Sequence, residues 1–257
     1  MTNQEGGIEH AHARPRNRLV ALVPGLALAG EEVVYDVAGA PYAGYYAAPE
    51  GDPQGLVLVI HDWDGLGDYE QQRADMLAEM GYAAFAVDLF GQGNRPETTE
   101  ARRAETRKLY DDRDAMRARI QAGLDAARER VDLPAVVMGY CFGGGATLEL
   151  ARSGEAPDVV GYASFHGSLQ TPEGQSWEGA GTPLLVMHGG ADSSVTMDHV
   201  ATLATELEAA GTPYEIQVYS GAPHGFTEFG SDRYQERADQ ESWEAFADFL
   251  AEQFGST

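Results

Sequence analysis

The sequence predicts a doubly wound α/β fold, with a mostly parallel sheet that begins in an antiparallel hairpin. Three observations predict it. Two short alternating segments at 32–37 and 42–47, joined through Gly39, are typical of a hairpin. Continuous apolar runs such as 56–60 are typical of strands buried on both faces of a parallel sheet. Segments with helical periodicity separate the later runs, as alternating strands and helices require.

The remaining elements follow in order along the chain. Further strands are predicted at 83–87, 135–138, 159–165, 183–187 and 214–219. Helices are predicted between them: one that ends at Gly81, one within 98–130, one that ends near Arg152, one through 200–210 and one through 243–254. The carboxyl ends of parallel strands lie at the same edge of the sheet, so a binding site is expected at that edge.

Length and composition indicate one domain. The chain has 257 residues, 43% of them hydrophobic, which is enough for one large core without a clear second unit. Residues 31–257 are assigned to the domain and 1–30 to a peripheral extension. Arginines before the apolar run 19–29 resemble a secretory leader, but Glu5 and Glu9 and the long start are untypical of one. The single, reduced cysteine suits the cytoplasm, which is the predicted location.

The charge excludes two classes of partner. Forty-one acidic residues oppose 17 basic ones, and the formal net charge is -24. Such a surface repels nucleic acid and anionic membranes, so neither is an expected partner. Adaptation to high salt would account for the acidity, because salt screens self-repulsion. A genomic preference for arginine over lysine, combined with selection for solubility, is the alternative.

Cys141 is the strongest candidate for a reactive residue. It is the only cysteine and stands in the motif Gly139-Tyr140-Cys141-Phe142-Gly143, between a predicted strand and a predicted helix. A nucleophile on a sharp strand-to-helix turn has this pattern. The positive end of the helix that starts at Phe142 is expected to favour the thiolate. The alternative for a lone cysteine is a small buried apolar residue, but the flanking glycines favour the turn.

Two further residues complete a catalytic set. Asp192 and His224 each follow a predicted strand, and the order nucleophile, acid, histidine is that of the α/β-hydrolase fold. His224 is expected to accept the thiol proton, and Asp192 to orient the imidazole. The backbone N–H groups of Phe142 and Trp63 are candidates for an oxyanion hole, and the Trp63 side chain for a wall of the acyl pocket.

Motifs in the order of one known family run from about 31 to 254. They are 42–47, 61–67, Gly81-Tyr82 with 88–90, 139–144, 164–167, 188–192 and 224–226. With these motifs the chain resembles the dienelactone hydrolases, also called carboxymethylenebutenolidases. The resemblance implies an ester or lactone substrate, no cofactor, and a triad of Cys141, His224 and Asp192.

The sequence departs from this family at the substrate pocket. Asp62 stands where the family has a glutamate that contacts the resting thiol, and is one methylene shorter. Gln92 and Glu228 stand where family members that open dienelactone have arginines for the substrate carboxylate. Arg95 is a candidate replacement. The expected substrate is therefore neutral or bulkier.

The prediction is a cofactor-independent thiol esterase or lactonase acting on a small molecule. One alternative is a serine-type esterase or peptidase relative that carries cysteine; another is a binding protein without catalysis on the same scaffold. No metal site is expected, because His10 and His12 lie in a polar tail without further ligands. His61, His166 and His188 are expected to satisfy backbone groups around the site.

Overall fold

The structure, a computed structural model, describes residues 30–156 and 158–255. Its strands are β1 Glu31–Val37, β2 Ala40–Ala47, β3 Leu56–Ile60, β4 Ala83–Val87, β5 Ala135–Tyr140, β6 Val159–Phe165, β7 Leu184–Gly189 and β8 Tyr214–Tyr219. Its helices are α1 Asp68–Glu79, α2 Thr99–Asp111, α3 Arg113–Arg128, α4 Phe142–Ser153, α5 Met197–Ala210 and α6 Glu236–Gly255.

The eight strands form one sheet in the order β1-β2-β4-β3-β5-β6-β7-β8. The β1–β2 and β2–β4 pairs are antiparallel, and every later pair is parallel. This confirms the predicted architecture, a mostly parallel sheet with an antiparallel start. The carboxyl ends of β5, β7 and β8 therefore point to the same edge of the sheet.

Alternation along the central strands divides the core into two layers. In β3, Leu56, Leu58 and Ile60 belong to the layer covered by α3, α4 and α5, whereas Val57 and Val59 face α1 and α6. All five side chains are fully buried. A strand with helices on both faces has no solvent side, which is why its sequence is apolar without alternation.

The helical segment predicted within 98–130 is divided in two at Asp112. This residue leaves helical geometry, with φ -127° and ψ 81°, and its side chain accepts a hydrogen bond from the N–H of Ala115 at 3.0 Å. Aspartate is a favoured N-cap, because its carboxylate satisfies a free N–H of the first turn. The apolar spacing of α3 alone gave no sign of this break.

Several expectations concern residues outside the described ranges. The extension, the possible leader and the histidines at 10 and 12 all fall within 1–29, which the structure does not describe. Within 30–156 and 158–255, no helix combines the length and the apolar character needed to cross a membrane.

Candidate active site

Cys141 lies on a sharp turn between β5 and α4. Its φ of 49° is in the left-handed region, which a side chain with a Cβ rarely adopts. The glycines beside it are required by close packing: a Cβ on Gly139 would lie 2.4 Å from the carbonyl of Gly143, and one on Gly143 would lie 2.3 Å from the carbonyl oxygen of Ile60. The turn therefore fits the nucleophile position that the motif predicts.

The fold brings Cys141, His224 and Asp192 together. His224 Nε2 lies 3.0 Å from Cys141 Sγ, and His224 Nδ1 lies 2.7 Å from Asp192 Oδ2. Asp192 follows β7 and His224 follows β8, so the two side chains reach the cysteine from neighbouring strand ends. Residues that are 83 and 32 positions apart thus form one continuous chain of hydrogen bonds.

Asp192 is fixed by its own hydrogen bonds. Its Oδ1 accepts the N–H groups of Ser194 at 2.7 Å and Val195 at 2.9 Å, which leaves Oδ2 for His224. Burial by itself raises the pKa of Asp192, but these bonds and the one with His224 outweigh it, and the pKa lies below its ordinary value. The carboxylate therefore holds the proton of His224 on Nδ1, and Nε2 is free to accept the thiol proton.

The surroundings of Cys141 oppose ionisation of its thiol. Burial raises its pKa well above the ordinary value, and the charge of Asp62 and a hydrogen bond to Asp62 raise it further. The N–H of Phe142, at the start of α4, acts in the opposite direction and is weaker. The helix end therefore acts in the expected direction, towards the thiolate, but desolvation and a neighbouring carboxylate outweigh it.

The carboxyl of Asp62 acts on the thiol through its charge, which raises the pKa of Cys141. Burial raises the pKa of this carboxyl to about 6, against hydrogen bonds from the N–H of Trp63 and from Cys141. The Trp63 N–H donates to Asp62 Oδ1. The two oxyanion candidates thus differ: the N–H of Phe142 acts on the sulfur, whereas that of Trp63 is held by Asp62 and must be released to bind an oxyanion.

A cavity of about 320 Å³ adjoins Asp62. The carboxylates that line it are Asp62, Asp64, Asp68, Glu70, Glu97 and Glu228, beside the cations Arg95 and Arg102. Of the four candidate pocket residues, Arg95 and Glu228 line this cavity. Trp63 lies under the guanidinium of Arg102, whose centre is 5.5 Å from the ring centroid. Gln92 is exposed and does not line this cavity, and its backbone N–H donates to the carbonyl oxygen of Pro41.

Glu228 has a partner that the sequence did not predict. Arg233 forms an ion pair with it, five residues further along the same loop. The guanidinium also lies over Gly225, where a Cβ would be 3.1 Å from its central carbon, and its charge lowers the pKa of Cys141. Glu228 and Arg233 are joined by a turn, so no helical or strand periodicity relates them. Only a search for opposite charges near His224 in the sequence could have found this ion pair.

Two of the buried histidines behave differently. His61 binds backbone groups as expected: its Nε2 accepts the N–H of Leu89 at 3.1 Å, and its Nδ1 lies 2.6 Å from the carbonyl oxygen of Asp62. His166 does not, because its Nε2 lies 2.8 Å from the hydroxyl oxygen of Thr227. The expectation of backbone partners is therefore wrong for His166, since the close approach of the loop after β8 supplies a side-chain partner.

Comparisons with known proteins identify the family and the fold of the chain. A model of the dienelactone hydrolase family matches residues 42–254. An Escherichia coli (strain K12) protein named "Putative carboxymethylenebutenolidase" is 26% identical over 273 residues, covering 99% of this chain and 97% of that protein. The solved dienelactone hydrolase-like promiscuous phosphotriesterase from metagenomic libraries is 27% identical with a TM-score of 0.79, covering 87% and 98% of the two chains.

A more distant structure shares the fold. Dienelactone hydrolase from Anabaena variabilis is 22% identical with a TM-score of 0.63, and the match covers 89% of this chain and 98% of that one. The family match extends over most of the chain and includes the strand ends that carry Cys141, Asp192 and His224. By sequence and by architecture, this chain belongs to the dienelactone hydrolase family and has its α/β-hydrolase fold.

Proposed function

We propose that this protein hydrolyses a small ester or lactone through an acyl intermediate on Cys141. One observation supports the proposal most strongly: His224 Nε2 lies 3.0 Å from the sulfur while its Nδ1 is bound to Asp192 at 2.7 Å. A neutral imidazole with Nε2 free and a carboxylate behind it is the arrangement that general-base activation of a nucleophile requires. Membership in a family of hydrolases supports the same reaction class.

The reaction follows from these positions. The sulfur attacks the substrate carbonyl carbon as His224 takes the thiol proton, and the negative oxygen that forms accepts hydrogen bonds from the N–H groups of Phe142 and Trp63. When the carbon–oxygen bond breaks, His224 returns the proton to the leaving alcohol, which stays attached if the substrate is a lactone. Water, deprotonated by the same imidazole, then cleaves the thioester and releases the acid.

A raised pKa of the thiol favours a mechanism in which the proton leaves during the attack. It disfavours a mechanism in which a thiolate exists before the substrate binds. At neutral pH the carboxylate of Asp62 opposes ionisation of the sulfur. The thiol therefore stays protonated until substrate is bound. Loss of its proton to His224 creates an imidazolium that Asp192 stabilises, so the triad supplies the driving force that a free cysteine lacks.

The cavity supports specificity for neutral substrates. Arg95 is engaged with the carbonyl of Asn94 at 3.0 Å and lies 3.8 Å from Asp88, and Arg233 is paired with Glu228. Both guanidinium groups are thus already engaged, the second cation of the lining, Arg102, lies 3.6 Å from Asp64, and the lining carboxylates outnumber the lining arginines. A substrate that carries a carboxylate would meet like charge, whereas an uncharged ester or lactone would not.

Replacement of Cys141 tests the proposal. The Cys141→Ala variant is expected to fold normally and to lose at least about a thousandfold in kcat/KM on a short p-nitrophenyl ester, since the remaining contacts cannot replace a nucleophile. Because Cys141 is the only cysteine, iodoacetamide labelling of the parent reports on this site alone. Intact-mass analysis of the parent should detect an acyl adduct that the variant lacks. Turnover by the variant near the parent rate would contradict the assignment.

Two rival functions give different results in the same assays. A serine-type esterase or peptidase relative would prefer peptide or acylated-sugar substrates, which an acyl-group profile reveals. A binding protein without catalysis would retain a ligand and form no acyl adduct on Cys141. The hydrogen-bonded set of three side chains favours the hydrolase over this second rival, because a binding site needs no activated thiol.

A further inference from the structure

His61 connects the loop of the second oxyanion candidate to the neighbouring strand. It directly follows β3, and its side chain is fully buried. Its Nε2 accepts the N–H of Leu89 at 3.1 Å, and its Nδ1 lies 2.6 Å from the carbonyl oxygen of Asp62. Because Leu89 lies just beyond β4, the ring bridges the ends of two adjacent strands. The proposed hydrolysis assigns no role to this side chain.

The direction of these two hydrogen bonds follows from their backbone partners. A backbone N–H can only donate, so His61 Nε2 carries no proton when it binds Leu89. The neutral imidazole then has its proton on Nδ1, and the carbonyl oxygen of Asp62 is the acceptor of that proton. Both ring nitrogens therefore have a partner, as buried polar groups require. Burial is the largest cause acting on the pKa of His61 and lowers it, which agrees with a neutral ring.

Leu89 belongs to a segment that is fixed by its own hydrogen bonds. Arg119 donates to the carbonyl oxygen of Leu89 at 2.6 Å. The next residue, Phe90, donates its N–H to the buried carboxyl group of Asp88 at 2.9 Å. The His61 ring also packs edge-on against Phe90, with the ring centroids 4.6 Å apart. The ring of His61 is thus anchored to a fixed loop on its Nε2 side, which sets the direction of Nδ1.

The carbonyl of Asp62 and the N–H of Trp63 belong to the same peptide group. A planar trans peptide holds its C=O and N–H in opposite directions, and none of the peptide bonds in 30–156 and 158–255 is cis. A donor that fixes the carbonyl oxygen therefore also fixes the direction of the N–H. The N–H of Gly65 donates to this oxygen as well, but at 3.3 Å, which is longer than most protein hydrogen bonds. The contact with His61, at 2.6 Å, is the shorter of the two.

We propose that His61 is a positioning residue for the oxyanion hole: by donating from Nδ1 to the carbonyl of Asp62, it orients the N–H of Trp63. The inference rests on the proposed function, in which that N–H binds the negative oxygen. A hydrogen bond accepted by a peptide carbonyl also polarises the peptide group, which makes its N–H a stronger donor. In this role His61 transfers no proton and needs no contact with the substrate, because its effect passes through the peptide group of 62–63.

NMR of the full chain, labelled with ¹⁵N and ¹³C, tests the direction of the hydrogen bonds in the parent. The ring of His61 is expected to show a protonated Nδ1 and an unprotonated Nε2. A scalar coupling across the hydrogen bond should connect His61 Nδ1 with the carbonyl carbon of Asp62. Because the backbone assignment of Asp62 identifies the coupled ring, this measurement needs no variant.

Two substitutions separate the functions of the two ring nitrogens. His61→Gln can place an acceptor at the Nε2 position but removes the Nδ1 donor, so the bond to Leu89 remains and the bond to Asp62 is lost. We expect kcat for a short p-nitrophenyl ester to fall about tenfold with KM unchanged, which is less than the roughly hundredfold loss on complete removal of an oxyanion donor. His61→Asn can place a donor at the Nδ1 position but removes the Nε2 acceptor. It should restore most of kcat, although the unpaired N–H of Leu89 lowers the urea midpoint.

A trifluoromethyl ketone analogue of the ester measures the oxyanion hole directly. The sulfur of Cys141 adds to the ketone carbon, the thiol proton passes to His224, and the ketone oxygen takes the negative charge without departure of any group. The inhibition constant should rise in His61→Gln by the factor by which kcat falls, and should return toward the parent value in His61→Asn. His199→Gln is the matched control, because its ring contacts Gln170 and the N–H of Thr196. It should leave kcat and the inhibition constant as in the parent.

Several outcomes would overturn the inference. A protonated Nε2 in the parent, or no coupling between His61 Nδ1 and Asp62, would refute the direction of the bonds. Parent values of kcat and of the inhibition constant in His61→Gln would refute the positioning role. Equal losses in His61→Gln and His61→Asn would refute it too, because the ring would then only fill space.

The parent decides the question if neither variant folds. In its complex with the ketone, the amide proton of Trp63 should shift downfield while the coupling from His61 Nδ1 persists; failure of either would refute the positioning role. Absence of ester turnover in the parent and in every variant alike would refute the proposed function instead, and the ring spectrum would still decide the hydrogen bond of His61.

Discussion

The charge of the Asp62 carboxyl opposes ionisation of the Cys141 thiol. The same carboxyl accepts the N–H of Trp63, the second candidate oxyanion donor. One side chain therefore controls both the charge of the proposed nucleophile and the availability of a donor. Substrate binding that displaced the hydrogen bond between Asp62 and the Trp63 N–H would change both properties together.

Removal of the Asp62 charge should make the thiol more reactive. In Asp62→Asn the pKa of Cys141 falls, and alkylation by iodoacetamide at pH 8 should accelerate by about tenfold, the effect of one pKa unit. In the parent, the pKa of Asp62 is about 6, so its negative charge appears as the pH rises through 6. Because this charge opposes ionisation of the thiol, the increase of the alkylation rate with pH should flatten there. The variant should show no such flattening.

The neighbouring carboxylate provides the control for this experiment. Asp64 lies 3.6 Å from Arg102 and is not bound to the thiol, so Asp64→Asn should alkylate at nearly the parent rate. Slower alkylation of Asp62→Asn would indicate that Asp62 acts as a base toward the thiol and does not oppose its ionisation.

Glu70 should make stability depend on pH. Burial raises its pKa to about 8, although the N–H groups of Gly67 and Asp62 donate to it. The folded chain thus keeps this proton to a higher pH than the unfolded chain, where the ordinary value is 4.5. The free energy of unfolding should therefore fall as the pH rises from 4.5 to 8, by at most about 1.4 kcal/mol per pH unit.

Urea denaturation of the parent and of Glu70→Gln at several pH values measures this effect. The stability of the parent relative to the variant should decrease from pH 5 to pH 8 and then level off. Glu79→Gln, an exposed position at the end of the same helix, should track the parent at every pH. A difference between parent and Glu70→Gln that stays constant with pH would exclude the raised pKa.

A buried carboxylate far from the thiol should contribute to stability alone. Glu149 is 1% exposed and pairs with Arg113, Arg117 and Arg152 at 2.8, 2.7 and 3.2 Å. Glu149→Ala removes the carboxylate shared by three arginines, of which Arg152 is buried, and should lower the free energy of unfolding by about 3–5 kcal/mol. Glu155→Ala, which removes an exposed partner of Arg117, should cost at most about 1 kcal/mol.

Glu149→Ala and Glu155→Ala should have the same kcat as the parent at temperatures at which they stay folded, because neither residue lines the cavity next to Asp62. Denaturant titration and ester turnover on the same samples check this. Equal stability losses in the two variants would mean that burial of Glu149 is not what makes its ion pairs strong.

Glu228 should control selection against carboxylate substrates. Glu228→Gln frees Arg233 and removes a negative charge, so kcat/KM for a lactone that bears a carboxylate should rise about fivefold relative to a neutral lactone, the effect of about 1 kcal/mol at a partly exposed site. Arg233→Gln leaves Glu228 unpaired and should shift the ratio the other way. Competition assays with the two lactones measure both; an unchanged ratio would remove position 228 from specificity.

The net charge of -24 should make the fold more stable in salt. If the acidity is an adaptation to high salt, the melting temperature in about 1 M salt should exceed that in dilute buffer, because the Debye length falls to about 3 Å. An equal or lower melting temperature would leave a genomic preference for arginine and selection for solubility as the explanation.

The sequence alone determined the order of strands and helices and the residues at the strand ends. Strands β3, β4, β6 and β8 were predicted at their observed bounds, because the apolar runs of the first three and the apolar–polar alternation of β8 are local signals. The order of Cys141, Asp192 and His224 indicated the reaction class for the same reason: each follows a strand, and parallel strands share one edge.

Only the tertiary structure decided how those residues are paired and charged. The raised pKa of Cys141, the ion pair of Glu228 with Arg233 and the contact of His166 with Thr227 depend on burial and on the path of the loops in space. Periodicity describes neighbours along one element, whereas desolvation and hydrogen-bond direction arise from chain segments up to 166 residues apart, as between Arg73 and Asp239.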